Sequence, residues 1–271
     1  MNRVLILLFA TISLNAGFFD SLNKTITDSA KEYINTPNNN QNRLDSTTIV
    51  AGLKEALAKG VKYASKTLGK RDGFWKNPAV KIPLPPDIQK FADYLKKAGM
   101  EQYVIDFEKS LNRAAEKAAP QTLSIFTEAI SQIKIEDAKK ILNGPETAAT
   151  DYLKSKTYQK IYDLVYPIVK ENVDKSGSVK YYNMLKKSYE KYAKPYTQNE
   201  TISMLSSLIG KDQKSKSELS NFTQKDIYDY TTSKTLEGIF KMIAQEERKI
   251  RKNPLERTSD LLKKVFAAAT N

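Results

Sequence analysis

The densest chemistry in the chain lies in residues 180–196, KYYNMLKKSYEKYAKPY. Tyr182, Leu185, Tyr189, Tyr192 and Tyr196 fall 3, 4, 3 and 4 residues apart, which lays them along one side of a helix. Lysines 180, 186, 187, 191 and 194 flank that stripe. Rings interleaved with ammonium groups can stack on bases or sugars, or sit at a membrane interface. The candidate binding residues here are Tyr182, Lys186, Lys187, Tyr189, Lys191 and Tyr192. The same spacing also suits a half-buried core, where a tyrosine ring packs and its hydroxyl reaches water.

A second candidate sits in the last long helical pattern. Leu236, Ile239, Phe240, Ile243 and Ile250 line an apolar face, and Glu247 falls close to its centre. Arg251 follows four residues later, at the spacing of a helical ion pair. An inward carboxylate can acquire a raised pKa and serve as acid or base. The plainer reading is an ion pair sealing the helix edge. Asn112, Arg113 and Glu116 make a third polar group, which the periodicity places away from the Tyr103–Phe107–Leu111 stripe, on a solvated face. Ser131 with Lys134, and Ser188 with Lys191, match the S-x-x-K spacing of some acyl-transfer enzymes, but the companion motifs are absent.

Composition removes several chemistries. The 271 residues contain no cysteine and no histidine. Thiol catalysis, disulfides, Ser-His-Asp catalysis and the usual zinc and copper ligands are therefore excluded. No phosphate-cradling glycine loop or clustered-Asp calcium loop occurs, and no cofactor or metal is expected. Net charge is +13, and only seven of the 44 basic residues are arginine. A lysine excess supplies diffuse attraction to anionic surfaces rather than bidentate recognition. A solvated lysine-rich surface would look the same.

The elements that must position these residues read as helices almost throughout, so the expected fold class is all-α. Over 47–68, Ile49, Leu53, Ala56, Leu57, Gly60, Ala64 and Leu68 share one face. Gly60 on that face suggests close approach of another helix. Residues 70–86, KRDGFWKNPAVKIPLPP, break the pattern. Val80, Ile82 and Leu84 alternate there with polar residues and prolines, as in an edge strand, a polyproline-like segment or a loop pinned onto the helical body. Helices follow near 87–98 and 103–118. Shorter ones are expected at 121–133, 135–142, 146–155, 157–175 and 178–194, with Pro167 kinking or splitting one. The final ones run from Lys225 to Lys252 and from Leu255 to Phe266. Residues 210–221, GKDQKSKSELSN, read as a polar insertion.

The N-terminus, MNRVLILLFATISLNA, has a basic start, a short apolar run and a small residue at Ala16. That order marks a secretory signal peptide over 1–16, too short to span a bilayer, which needs roughly 20 residues. The expected organisation is a signal peptide, an N-terminal helix and polar linker over 17–46, and a helical domain over 47–271.

GLKEALAKGVKYA at 52–64, NPAVKIPLP at 77–85, LNRAAEKAAP at 111–120, IEDAKKILNGPETAATDY at 135–152 and LEGIFKMIAQEERKIRKNP at 236–254 together resemble the bacterial family catalogued as domain of unknown function 4197. The resemblance spans about 45–266. It implies an exported, mostly helical envelope protein and supplies no activity, ligand or catalytic residue.

The expectation is a periplasmic, envelope-associated, non-enzymatic binding protein. Its partner would be an anionic lipid or envelope polymer, with peripheral membrane association and no nucleic acid. A carboxylate-dependent hydrolase and a chaperone-like partner protein are the alternatives.

Overall fold

The computed structural model describes residues 45–97, 99–175, 177–188 and 224–268. The expected signal peptide over 1–16, nearly all of the 17–46 segment, the expected polar insertion over 210–221 and residues 189–196 of the tyrosine stripe lie outside the described residues. Every regular element among the described residues is helical, so the fold is all-α. No helix among them is long and apolar enough to cross a membrane.

The described residues gather into two compact units. The first comprises residues 45–67, 120–161 and 239–268. It opens with α1, Ser46–Leu68. Asp45 caps it: its carboxylate accepts from the Thr48 N–H at 2.7 Å and the Thr48 hydroxyl at 2.8 Å, and also from the Thr47 hydroxyl. Partial burial opposes ionisation, but these hydrogen bonds outweigh it and hold the carboxyl below its usual range. Leu53, Ala56, Leu57, Val61 and Ala64 are buried, as the helical period predicts.

Gly52 and Gly60 both lie on that inner face. A methyl group at Gly52 would come within 2.6 Å of a Val265 methyl, whereas one at Gly60 would meet Ile243 at an ordinary 3.6 Å. Close helix approach therefore requires glycine at position 52. The sequence pattern had pointed to Gly60.

A short 3-10 turn, Ala119–Thr122, leads into α4, Leu123–Ser131, and then α5, Ile135–Leu142. The two helices expected at 146–155 and 157–175 are one, α6, Ala148–Lys175, with Pro167 inside it. Proline costs an interior helix about 3 kcal/mol. Leu153, Ile161, Val165, Val169 and Val173 are nevertheless buried on both sides of the expected break, and their burial outweighs it at roughly 1.5–3 kcal/mol per side chain. The first half of α6 belongs to this unit and the second half to the other. The same division applies to α8, Gln224–Lys252, in the reverse sense. The expected terminal helix over 255–266 is a 3-10 turn, Pro254–Glu256, followed by α9, Asp260–Ala268. Asn253 and Pro254 start the turn, with the Asn253 side chain accepting from the Leu255 N–H at 3.0 Å. The core of the unit includes Phe126, Ile130, Ile141, Phe240, Ile243, Leu262 and Phe266. Phe126 meets Phe240 edge-on at 5.6 Å between centroids.

The second unit comprises residues 68–119 together with the described part of 162–238. It holds the loop over 69–85, α2, Pro86–Lys97, α3, Glu101–Ala118, the second half of α6, α7, Ser178–Ser188, and the first half of α8. Gly99, just past α2, takes a φ of 79°, the left-handed conformation that stops a helix. The loop contains no strand. Phe74, Val80, Ile82 and Leu84 are buried, so it is pinned onto the helices of its own unit. Tyr103 departs from its expected inward place: it is 42% exposed, and its ring lies 6.1 Å from that of Tyr181.

Candidate functional site

Glu247 points inward from α8 and is buried. One carboxylate oxygen accepts from the Ala149 N–H at 3.0 Å and from Arg251 Nε at 2.9 Å. The other accepts from the Thr150 N–H at 2.8 Å and its hydroxyl at 2.7 Å. The two backbone donors belong to the first turn of α6, where N–H groups lack partners within the helix. Glu247 therefore caps a helix about a hundred residues away in sequence and meets the positive end of its dipole. Arg251 donates to the carbonyls of Leu142 at 3.1 Å and Ile141 at 2.8 Å, at the C-terminal end of α5. Buried Arg257 extends the same logic, donating to the carbonyls of Ile250 at 3.0 Å and Arg251 at 2.7 Å. This ion pair joins the ends of α5 and α6 to α8. All four lone-pair positions of Glu247 are in use, which leaves it unsuited to proton transfer.

Of the tyrosine–lysine stripe, Tyr182 is buried at 5% exposure and Lys187 is exposed. Lys186 lies on α7. Tyr189, Lys191 and Tyr192 fall outside the described residues. The described part of the stripe thus packs one ring, Tyr182, and presents two lysines, Lys180 and Lys187.

The polar group on α3 reverses the expectation of a solvated face: Asn112 and Glu116 are buried. The loop over 69–85 covers that face, and its backbone needs partners. The Asn112 side chain accepts from the Ile82 N–H and donates to the Ile82 carbonyl, both at 2.8 Å. Glu116 accepts from the N–H groups of Phe74 and Trp75 at 3.1 Å, and Arg113 bridges Glu116 to Asp72. These residues fasten the loop.

A cleft of about 690 Å³ opens in the first unit between α4, α5 and α6. Glu128, Gln132, Lys134, Glu136, Asp137, Tyr152, Lys156 and Lys160 supply most of its polar lining. Tyr152 donates to Asp137 at 3.2 Å and lies beneath Lys156. Burial, followed by the Asp137 charge, raises the phenol pKa. Acids and lysines are balanced in number here, so the cleft does not share the net basic character of the chain. Periodicity missed it because its walls bring together side chains from three separate helices, most of its charged ones exposed. Ser131 directs its hydroxyl to the Glu128 carbonyl at 2.6 Å, a local helix contact. No cluster of acidic residues able to hold a metal occurs among the described residues.

The fold and these contacts define an all-α protein whose buried carboxylates brace helix ends and loops. The chain belongs to the family described as Protein of unknown function (DUF4197), which matches residues 43–267. Neither the curated proteins nor the solved structures gave a match.

Proposed function

We propose that this is an exported, envelope-associated binding protein without enzymatic activity, whose basic surface meets an anionic lipid or envelope polymer. The observation that favours it is the use of charge. The buried acids Glu116, Glu246 and Glu247 are bound to backbone N–H groups or to basic side chains, while lysine remains in excess at a net charge of +13. Lysine on flexible stems suits a diffuse anionic surface. Sedimentation of the protein with phosphatidylglycerol vesicles at low salt tests it, against phosphatidylcholine as the neutral reference. Selective recovery with the anionic vesicles is expected, and equal recovery would count against the proposal.

One observation favours a second reading, a carboxylate-dependent hydrolase acting on glycan. Glu128 comes from α4, Glu136 and Asp137 come from α5, and all three line one cleft. Glycoside cleavage uses two carboxyl groups roughly 5–9.5 Å apart. Release of reducing sugar from envelope glycan, abolished by Glu128→Gln or Asp137→Asn, would establish it. No release by the unmodified chain would remove it.

A further inference from the structure

We propose that Leu255 and Tyr63 form a membrane-docking edge, with Leu255 entering an anionic lipid bilayer while the lysines around it hold the headgroups. This rests on the binding reading above and names its surface.

Leu255 is 89% exposed, far above the other exposed large apolar residues among the described residues, Tyr103, Ile135 and Tyr63 at 39–42%. The turn that presents it is held on every side. Asn253 caps it, the Glu256 N–H donates to the Asn253 carbonyl at 3.0 Å, and the Lys59 ammonium donates to the Glu256 carbonyl at 2.7 Å. The buried Arg257 follows directly, anchored to the end of α8. Leu255 is therefore an apolar side chain fixed in an outward position, not the tip of a frayed end. An aliphatic group displayed in this way gains nothing from water and is stabilised by transfer into an acyl layer.

The surroundings match a charged lipid surface. Lys59, Lys62, Tyr63 and Lys66 share one stripe of α1, at offsets of three, four and seven residues. Lys249 lies over the Tyr63 ring at 5.1 Å from its centroid and 3.3 Å from Glu246, which in turn lies 3.7 Å from Lys59. That run of contacts connects Tyr63 to the turn bearing Leu255. The acids of this edge are already matched: Glu246 with Lys59 and Lys249, Glu256 with Lys59, and Glu146 with Lys252. Lys62 and Lys66 are exposed on that stripe and add further positive charge. A half-exposed tyrosine among lysines, beside a protruding leucine, suits the headgroup boundary, where rings sit at the interface and ammonium groups reach phosphate.

The absence of cysteine allows a single-site probe. Leu255→Cys and, as a reference on the cleft, Lys134→Cys would each be labelled with an environment-sensitive fluorophore and mixed with phosphatidylglycerol vesicles. The probe at 255 is expected to brighten and shift to the blue, and the probe at 134 to remain unchanged. In parallel, Leu255→Asp should bind these vesicles about 10-fold more weakly than the unmodified chain, with an unaltered thermal melt. If the unmodified chain binds while Leu255→Asp binds equally well and the 255 probe stays dark, the docking edge is wrong and the binding reading survives. If the unmodified chain ignores anionic vesicles altogether, the lipid form of that reading fails as well.

Discussion

With Ala149, Thr150 and Arg251 all donating to it, the Glu247 carboxylate has both of its oxygens engaged within the fold. Removing one partner of a buried pair strands the other charge, at a cost of about 3–5 kcal/mol. Glu247→Ala should therefore lower stability by that order in denaturant titration, and Glu247→Gln, which keeps the shape and one acceptor, should cost less. A Glu247→Ala chain as stable as the parent would contradict the capping role. Part of this site was legible in the sequence. The helical period turns Glu247 inward and sets Arg251 one turn beyond it. Its other partners at 141, 142, 149 and 150 lie some hundred residues away, and no local spacing encodes them. Asn112 and Glu116 were misread for a related reason: a residue opposite an apolar stripe is solvated only if nothing else covers it, and the loop over 69–85 does.

At the scale of the element, boundaries were readable wherever a local signal existed. Helix α1 and the stop at Gly99 follow from periodicity and glycine alone. Pro167 was misleading, because local cost yields to burial of the valines around it. Gly52 was missed because its role depends on Val265, which only the packed helices bring near. Gly52→Ala should destabilise the chain by about 1–3 kcal/mol through overpacking. Gly60→Ala should be neutral, or stabilising by up to about 1 kcal/mol, since the methyl fits and alanine favours helix. Equal effects at the two positions in thermal melts would refute the distinction. The α1 cap supplies a pH signature. A carboxyl with a folded pKa below its unfolded value of about 3.9 contributes stability above that value and loses it as pH falls through the folded pKa. Asp45→Ala should thus cost about 1 kcal/mol near neutrality and progressively less below about pH 4. A penalty that stays constant into acid would show that the charge of Asp45 is irrelevant.

For the whole molecule, the decisive quantity is how the lysine excess is used. Structural partners engage the buried acids Glu116, Glu246 and Glu247, and the proposed function assigns the remaining lysine excess, at a net charge of +13, to a basic surface. Attraction of such a surface to anionic lipid must weaken as salt shortens the Debye length, from about 30 Å at about 0.01 M to about 3 Å at about 1 M. The affinity of the purified protein for phosphatidylglycerol vesicles, measured across that range, tests this most directly. Tight binding at the low end that falls steeply toward the high end is the expected result. No binding at any salt concentration, or an affinity that does not change across the range, would contradict a basic surface docking on an anionic one.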